Sequence, residues 1–456
     1  MFKKNVSMLE GPILPNIISY TIPIILTSIL QVLFNAADLV VVGRFCGSSS
    51  VAAVGATGSI TTLIVNLFIG LSVGAGVAVA HGIGCDNKQA VYRTVHTSLL
   101  TAIVSGIILM FIGVLLSKQL LVLMGTPNTI LPLSTVYMRI YFGGIIFNML
   151  YNYCASILRA SGDTKGPLVY LTIAGVINVI LNVIFVTLFH MNVAGVALAT
   201  VISQAVSSLL VIRALIKKDD CCKLIIKEIK FYKDEFLRIT KIGLPAGIQG
   251  SLFSISNVII QSSVNSFGEV FMSGSSSAGN IEGFIYVTLN AFSQTSINFV
   301  GQNMGARNFE RLKKIFWTCL VCVGVVGLVS GLGVYLSGEK LLSIYITDSP
   351  KAIEYGMIRL GFICIPYFLC GLMDVTTGAL RGLGTSVAPM LISIIGICGI
   401  RLVWISTIFQ ISAYHTPQIL FASYTISWIV TFAAQLITFL IIFKKITQKY
   451  SPIERL

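Results

Sequence analysis

Residues 166–212, GPLVYLTIAGVINVILNVIFVTLFHMNVAGVALATVISQAVSSLLVI, contain no Asp, Glu, Lys or Arg. As a helix rising 1.5 Å per residue, such a stretch would run to roughly 70 Å, more than twice the hydrocarbon thickness of a bilayer. One crossing cannot use it up; two crossings, near 167–189 and 193–212, can. Residues 45–85 and 402–443 are also free of charged side chains and suit the same reading.

The rest of the composition agrees. Of 456 residues, 55% are hydrophobic and 11% charged, against roughly 25% charged in soluble domains. So few charges cannot cover a water-exposed surface, which excludes a cytosolic enzyme, a secreted scaffold and a disordered chain. The net charge of +14 does not point to nucleic acid, because its densest strip, 217–241, mixes Lys and Arg with Asp and Glu between apolar blocks. That strip suits cytoplasm and anionic headgroups. The ten Cys lie mostly in apolar segments with no zinc-like spacing and read as small packing residues. No cleavable signal peptide is evident.

Apolar blocks between turn signals predict crossings near 13–38, 50–80, 95–116, 131–156, 167–189 and 193–212, then 242–266, 277–301, 315–336, 355–379, 388–410 and 417–443. Lipid requires internally satisfied backbone, and these lengths exceed barrel strands, so all twelve are read as helices. The fold class is all-α: a polytopic membrane protein with twelve transmembrane helices. Residues 1–212 form one six-helix bundle, 213–241 a charged cytoplasmic linker and 242–456 a second bundle. With the N-terminus inside, 24 Lys and Arg fall in inside segments, Lys3, Lys4 and Arg455 among them, while only Arg44, Lys118, Lys340 and Lys351 fall outside. The asymmetry predicts both termini in the cytoplasm, and the location as a bacterial cytoplasmic membrane.

The halves resemble one another at a fixed offset. Leu158-Arg-Ala-Ser-Gly-Asp-Thr-Lys-Gly-Pro167 lies 222 residues before Leu380-Arg-Gly-Leu-Gly-Thr-Ser-Val-Ala-Pro389, Asn35 matches Asn257 at the same offset, and Ile83-Gly-Cys-Asp-Asn87 pairs with Met304-Gly-Ala-Arg-Asn308 at 221. Three matches near one spacing indicate tandem duplication. An even number of crossings per copy relates the two pseudo-symmetric bundles by an axis along the membrane normal, and a cleft between such bundles fits alternating access. No GxxxxGK[ST] stretch supports an ATP-driven pump, and no enzyme constellation stands out. Gly70-Leu-Ser-Val-Gly74 and the glycines from Gly324 to Gly333 suit close helix approach.

Against this apolar background the polar residues are candidates. Gln31, Asn35 and Asp38 lie at i, i+4 and i+7, one helix face, and an intramembrane carboxylate must be hydrated, paired or protonated, the states between which an ion antiporter cycles. Asn178 and Asn182 share a face in the fifth segment, for ion contact or for interhelical hydrogen bonding. Glu282, Tyr286 and Asn290 form a stripe able to attract and stack an organic cation, unless Glu282 lies at the outer surface. Asp374 is expected to be buried, lining a substrate site or bridging to Arg401 on the next helix. Arg139 is read as pore-lining or snorkelled.

These motifs carry a likeness. Pro23, Asn35-Ala-Ala-Asp38 with Gly43, Leu158-Arg-Ala-Ser-Gly-Asp163, Gly378-Ala-Leu-Arg-Gly382, and Ile83-Gly84 with its copy Met304-Gly305 resemble the multidrug and toxic compound extrusion (MATE) transporters over nearly the whole chain. The resemblance implies two six-helix bundles and export, often of organic cations, driven by entry of Na⁺ or H⁺. It implies an ion-coupling role for Asp38, here grouped with Asn35, Asn178 and Asn182, while Gln31, Glu282, Tyr286, Asn290 and Asp374 are assigned to substrate. The chain departs from many relatives at Asn182, where they carry Asp, which leaves a neutral oxygen ligand in place of a proton acceptor. The expectation is a non-enzymatic antiporter, functional as a monomer, with membrane lipids and small organic cations as partners, no nucleic acid, no metal site and no cofactor beyond the coupling ion. A lipid-linked saccharide flippase of related architecture is the alternative, for which a strongly basic cavity would be expected.

Overall fold

The computed structural model describes residues 6–450 apart from 348; Lys3, Lys4 and Arg455 of the charge count lie outside them. Helices α1 (Ile13–Cys46), α2 (Ser48–Gly84), α3 (Lys88–Leu123), α4 (Leu131–Gly143), α5 (Ile145–Ala160), α6 (Lys165–Val183) and α7 (Asn192–Ile216) make up the first half. The second half holds α8 (Lys233–Asn265), α9 (Glu269–Gly305), α10 (Phe309–Leu336), α11 (Gly338–Ser343), α12 (Pro350–Cys364), α13 (Tyr367–Gly382), α14 (Val387–Ser393), α15 (Ile400–Ser406) and α16 (Pro417–Tyr450). Short π-helical segments, Ile184–Leu188 and Ile394–Gly399, extend α6 and join α14 to α15. No strand occurs among the described residues. Among the described residues nine spans are long and apolar enough to cross a membrane, and eleven if two bent pairs each count as one. The sequence reading of twelve adds α9, long enough at 37 residues but interrupted by Ser, Gly, Asn and Glu282.

Two predicted single helices are bent pairs. The 131–156 segment breaks at Gly144 with a 47° bend between α4 and α5, and the 355–379 segment breaks by 41° between α12 and α13. Pro366 sits in the second break, where its missing N–H interrupts the helical ladder. The charged linker is also shorter than 213–241, because α7 continues to Ile216 and α8 begins at Lys233, its first turn carrying Asp234 and Glu235.

Duplication is visible in the turns. Asp86 and Arg307, both at positive φ, are followed by Asn87 and Asn308, whose Oδ1 atoms accept from the Ala90 and Arg311 backbone N–H at 3.0 and 3.1 Å to start α3 and α10. Gly162 and Gly384 take φ of 90° and 87° at the corresponding helix ends. The same backbone solution, written twice, explains why these residues recur at offsets of 221 and 222.

The chain folds as two compact units, one made mainly of Ile22–Ser251 and the other of Met8–Thr21 with the residues from Leu252 onward. The boundaries fall inside α1 and α8, not in the linker. In α1 the boundary lies between Thr21 and Ile22, one residue before Pro23.

Within the first unit α2 and α8 approach at backbone contact. A Cβ on Gly70 would lie 2.2 Å from the Gly247 nitrogen, and one on Gly74 would lie 2.1 Å from the Ile239 carbonyl oxygen. The linker is tied to α3: the Ile225 N–H donates to His96 Nε2 at 3.2 Å, the Tyr232 N–H donates to Thr97 Oγ1 at 3.2 Å, and Thr94 Oγ1 donates to Glu235 at 3.0 Å. In the second unit α9 packs against α12 and α13. Val321, Val325, Val329 and Leu336 of α10 are exposed, as lipid-facing side chains on one helix surface should be.

Candidate functional site

Asp38 lies on α1 beside a cavity of about 300 Å³ inside the first unit. Gln31, Asn35 and Asp38 all line it, so the expected stripe does present one face to a common space. Opposite stand Tyr137 and Tyr141 of α4, Asn148 and Asn152 of α5, Asn178 of α6, and Thr200, Ser203, Gln204 and Ser207 of α7. None of the lining residues is Lys or Arg, so the basic cavity expected of a flippase is not found here. Arg139 is exposed and outside this lining.

The carboxylate is held by neutral dipoles. Asn182 Nδ2 donates to Asp38 Oδ1, and Thr200 Oγ1 is placed to donate to Oδ2 at 3.4 Å. Asn182 Nδ2 also reaches Asn178 Oδ1 at 3.2 Å, and Asn178 Nδ2 lies 3.5 Å from Thr200 Oγ1. Thr200 has one hydrogen and a second acceptor, the Val196 carbonyl oxygen at 2.9 Å, so it cannot serve Asp38 fully. No Lys, Arg or His pairs with Asp38 among the described residues.

Asn182 Oδ1 is buried without a hydrogen-bond partner. Turning that amide over exchanges its donor for its acceptor, so one side chain can face either an ionised or a protonated Asp38. With the same amide turned, the carboxylate and the oxygens of Asn178, Asn182 and Thr200 would make a hard, all-oxygen donor set of the kind a small alkali cation takes. No group of three His, Cys, Asp or Glu residues suited to a resident metal occurs among the described residues.

Sequence reasoning missed the α7 contribution, although Thr200, Ser203, Gln204 and Ser207 repeat at i, i+3, i+4 and i+7, the signal that exposed the α1 stripe. Asn148 and Asn152, four apart on α5, were equally legible. Tyr137 and Tyr141 flank Arg139, and the two rings are separable from ordinary packing residues only once the cavity is seen.

The residues assigned to substrate in the second half meet different surroundings. Glu282 is not at an outer surface: it is buried, and Arg359 grips it through Nε to Oε1 at 2.7 Å and Nη2 to Oε2 at 2.9 Å. Arg359 also donates to Ser275 Oγ at 2.8 Å. Tyr286 is partly exposed, and Asn290 Oδ1 accepts from Gln294 at 3.3 Å. Asp374 is buried, but the expected bridge to Arg401 does not form. Arg401 instead donates from Nε to Ser427 Oγ at 3.0 Å and lies over the Tyr424 ring at 4.0 Å. The π-helical segment before Ile400 changes the register of this span, an effect invisible to a count of helical turns.

The sequence and the fold each have relatives. “Probable multidrug resistance protein YpnP” of Bacillus subtilis is 28% identical over 394 residues, 86% of this chain and 87% of its own. “Probable multidrug resistance protein NorM” of Thermotoga maritima is 24% identical over 411 residues, covering 88% and 87%. A crystal structure of a MATE in complex with MaL6 superposes with a TM-score of 0.91 at 21% identity, covering 98% of this chain and all of the other. The MatE family model matches residues 23–184 and again 245–407, one copy for each half of the duplication. By that double match the chain belongs to the MatE family, the multidrug and toxic compound extrusion transporters.

Proposed function

We propose that the protein is a secondary antiporter of a bacterial cytoplasmic membrane, with both termini inside, that exports amphiphilic organic cations in exchange for Na⁺ or H⁺ acting at Asp38. The observation that carries this reading is a single carboxylate, unpaired by any base, on the wall of a polar cavity among neutral amide and hydroxyl groups. Such a carboxylate is costly inside a membrane unless neutralised, and an entering ion does that reversibly. Its neutral partners suit it, because they tolerate both charge states whereas a fixed arginine would hold one. The relatives' names, multidrug resistance proteins, support drugs as cargo. This is transport chemistry, with no bond made or broken in the cargo.

The deciding experiment is reconstitution in vesicles loaded with an ethidium-like dye. Imposing a Na⁺ gradient and a pH gradient separately should show dye movement with one and not the other. Movement that requires ATP and ignores both gradients would reject the reading.

A further inference from the structure

Arg401 is 4% exposed, yet its charge has no counter-charge among the described residues. The only hydrogen bond it makes among the described residues is Nε to Ser427 Oγ, 3.0 Å, and Ser427 in turn donates to the Tyr424 carbonyl. Its terminal nitrogens donate to no protein acceptor and are not among the sealed, unsatisfied atoms. Glu282 is held at both oxygens by Arg359, and Asp374 makes no ion pair with Arg401. What surrounds the guanidinium is aromatic: Tyr424 at 4.0 Å, Trp428 at 5.8 Å, and Tyr367, whose ring lies 5.2 Å from that of Trp428. Ring faces offset part of the cost of a buried cation. They do not satisfy the planar fork of terminal N–H groups, whose geometry matches a carboxylate. The residue is the second of α15, which follows the π-helical Ile394–Gly399, a local distortion common at functional sites.

We propose that Arg401 is a carboxylate-binding residue of the second unit, taking the acid group of an amphiphilic aromatic cargo whose ring system meets Tyr424, the half-buried ring of the three. The assignment rests on the export function proposed above and names the residue that would distinguish a cargo with a free carboxylate from the same cargo without one.

The test compares rhodamine B, which has a free carboxylate, with its methyl ester, which lacks that charge and is otherwise the same dye. Efflux of both is measured from cells expressing the wild type, Arg401→Gln and Arg401→Lys, and binding of both to purified protein is read by fluorescence anisotropy. Arg401→Gln should lower rhodamine B binding and efflux about tenfold, the scale of one lost charge-assisted contact, and leave the ester within about twofold. Arg401→Lys, which keeps a point charge without the fork, should fall between, so the acid-to-ester ratio is informative even if the Gln variant folds poorly. Equal loss of both dyes would make Arg401 a brace for α16 and overturn the proposal, as would no change in either. A phospholipid that copurifies with the wild type and is lost from Arg401→Gln, with dye binding unaltered, would assign the arginine to a lipid headgroup and overturn it as well. If the wild type exports neither dye, the export reading fails, and the anisotropy ratio still decides whether Arg401 binds the carboxylate.

Discussion

Asn182 of α6 donates a hydrogen bond to the Asp38 carboxylate of α1, while its own carbonyl oxygen remains buried without a partner. The arrangement is half satisfied. A buried amide oxygen left unpaired costs roughly 1–3 kcal/mol, so the site retains a demand for one more donor or for a cation. A proton on Asp38, met by the turned amide, supplies the first, and an alkali ion the second. Both are what a coupling site has to bind and release.

Asp38→Asn should therefore abolish coupling without unfolding the protein. The substituted amide fits the same space and can still pair with Asn182 and Thr200. Gradient-driven dye efflux is expected to fall to background with folded yield near wild type, measured together by size-exclusion profile and vesicle transport. Well-expressed Asp38→Asn protein that still couples efflux to an ion gradient would move the coupling site elsewhere.

Asn182→Asp places two acids in hydrogen-bonding contact. Two carboxylates that close cannot both ionise without a large penalty, so the pair must share a proton or hold a cation. Efflux by this variant should follow a pH profile different from that of the wild type, because two acids in contact exchange protons as a pair and a lone one does not. Identical pH profiles for the two would mean that position 182 does not sense the charge on Asp38.

How far the sequence could be read depended on whether a signal was local to one helix. The Gln31, Asn35 and Asp38 stripe was legible because helical periodicity alone sets which residues share a face, and the turns at Asn87 and Asn308 because the duplication repeats them. The partner of Glu282 was not legible. Arg359 sits 77 residues away on α12, and which helix packs against α9 is not something a count along one helix can include. The expected Asp374–Arg401 bridge failed for a related reason, the π-helical register change before Ile400.

The Glu282–Arg359 pair yields a stability prediction that separates it from a free substrate carboxylate. Glu282→Gln strands a buried guanidinium, and breaking one partner of a buried pair costs about 3–5 kcal/mol. The detergent melting temperature should drop clearly in Glu282→Gln and recover in Glu282→Leu/Arg359→Met, where both charges are gone. A Glu282→Gln protein with unchanged melting but altered dye preference would return Glu282 to direct cargo contact.

Glycines along α2 and α10 look alike in sequence and differ in the structure. An added methyl at Gly74 meets the Ile239 carbonyl oxygen, a backbone atom that cannot rotate away, whereas one at Gly333 meets nothing within 4 Å. Overpacking of this kind costs about 1–3 kcal/mol. Gly74→Ala should reduce melting temperature and folded yield, and Gly333→Ala should leave both unchanged or slightly raised, since alanine favours the helix. Equal behaviour of the two would show that α2 and α8 are not in backbone contact.

The segment between α7 and α8 offers a chemical handle on topology. Cys221 and Cys222 are adjacent there, with Cys222 buried and Cys221 partly open. The Cys222 thiol, hydrogen-bonded to the Cys221 sulfur, holds the Cys221 thiol down to about 7, with the Lys218 ammonium adding to the effect, while Cys222 itself is pushed up. The thiolate is the reactive form, so alkylation accelerates as pH rises to the thiol's pKa and levels off above it. In a Cys85→Ser background, maleimide labelling of Cys221 should climb about tenfold per pH unit up to about pH 7 and then flatten, where an ordinary thiol would keep climbing to about 8.5. Cys222→Ala removes the donor and should move the plateau toward the ordinary value. Because the proposed topology puts this segment in the cytoplasm, a membrane-impermeant maleimide given to intact cells should leave Cys221 unlabelled until the membrane is opened. Rapid labelling from outside would invert the orientation and carry the proposed direction of transport with it.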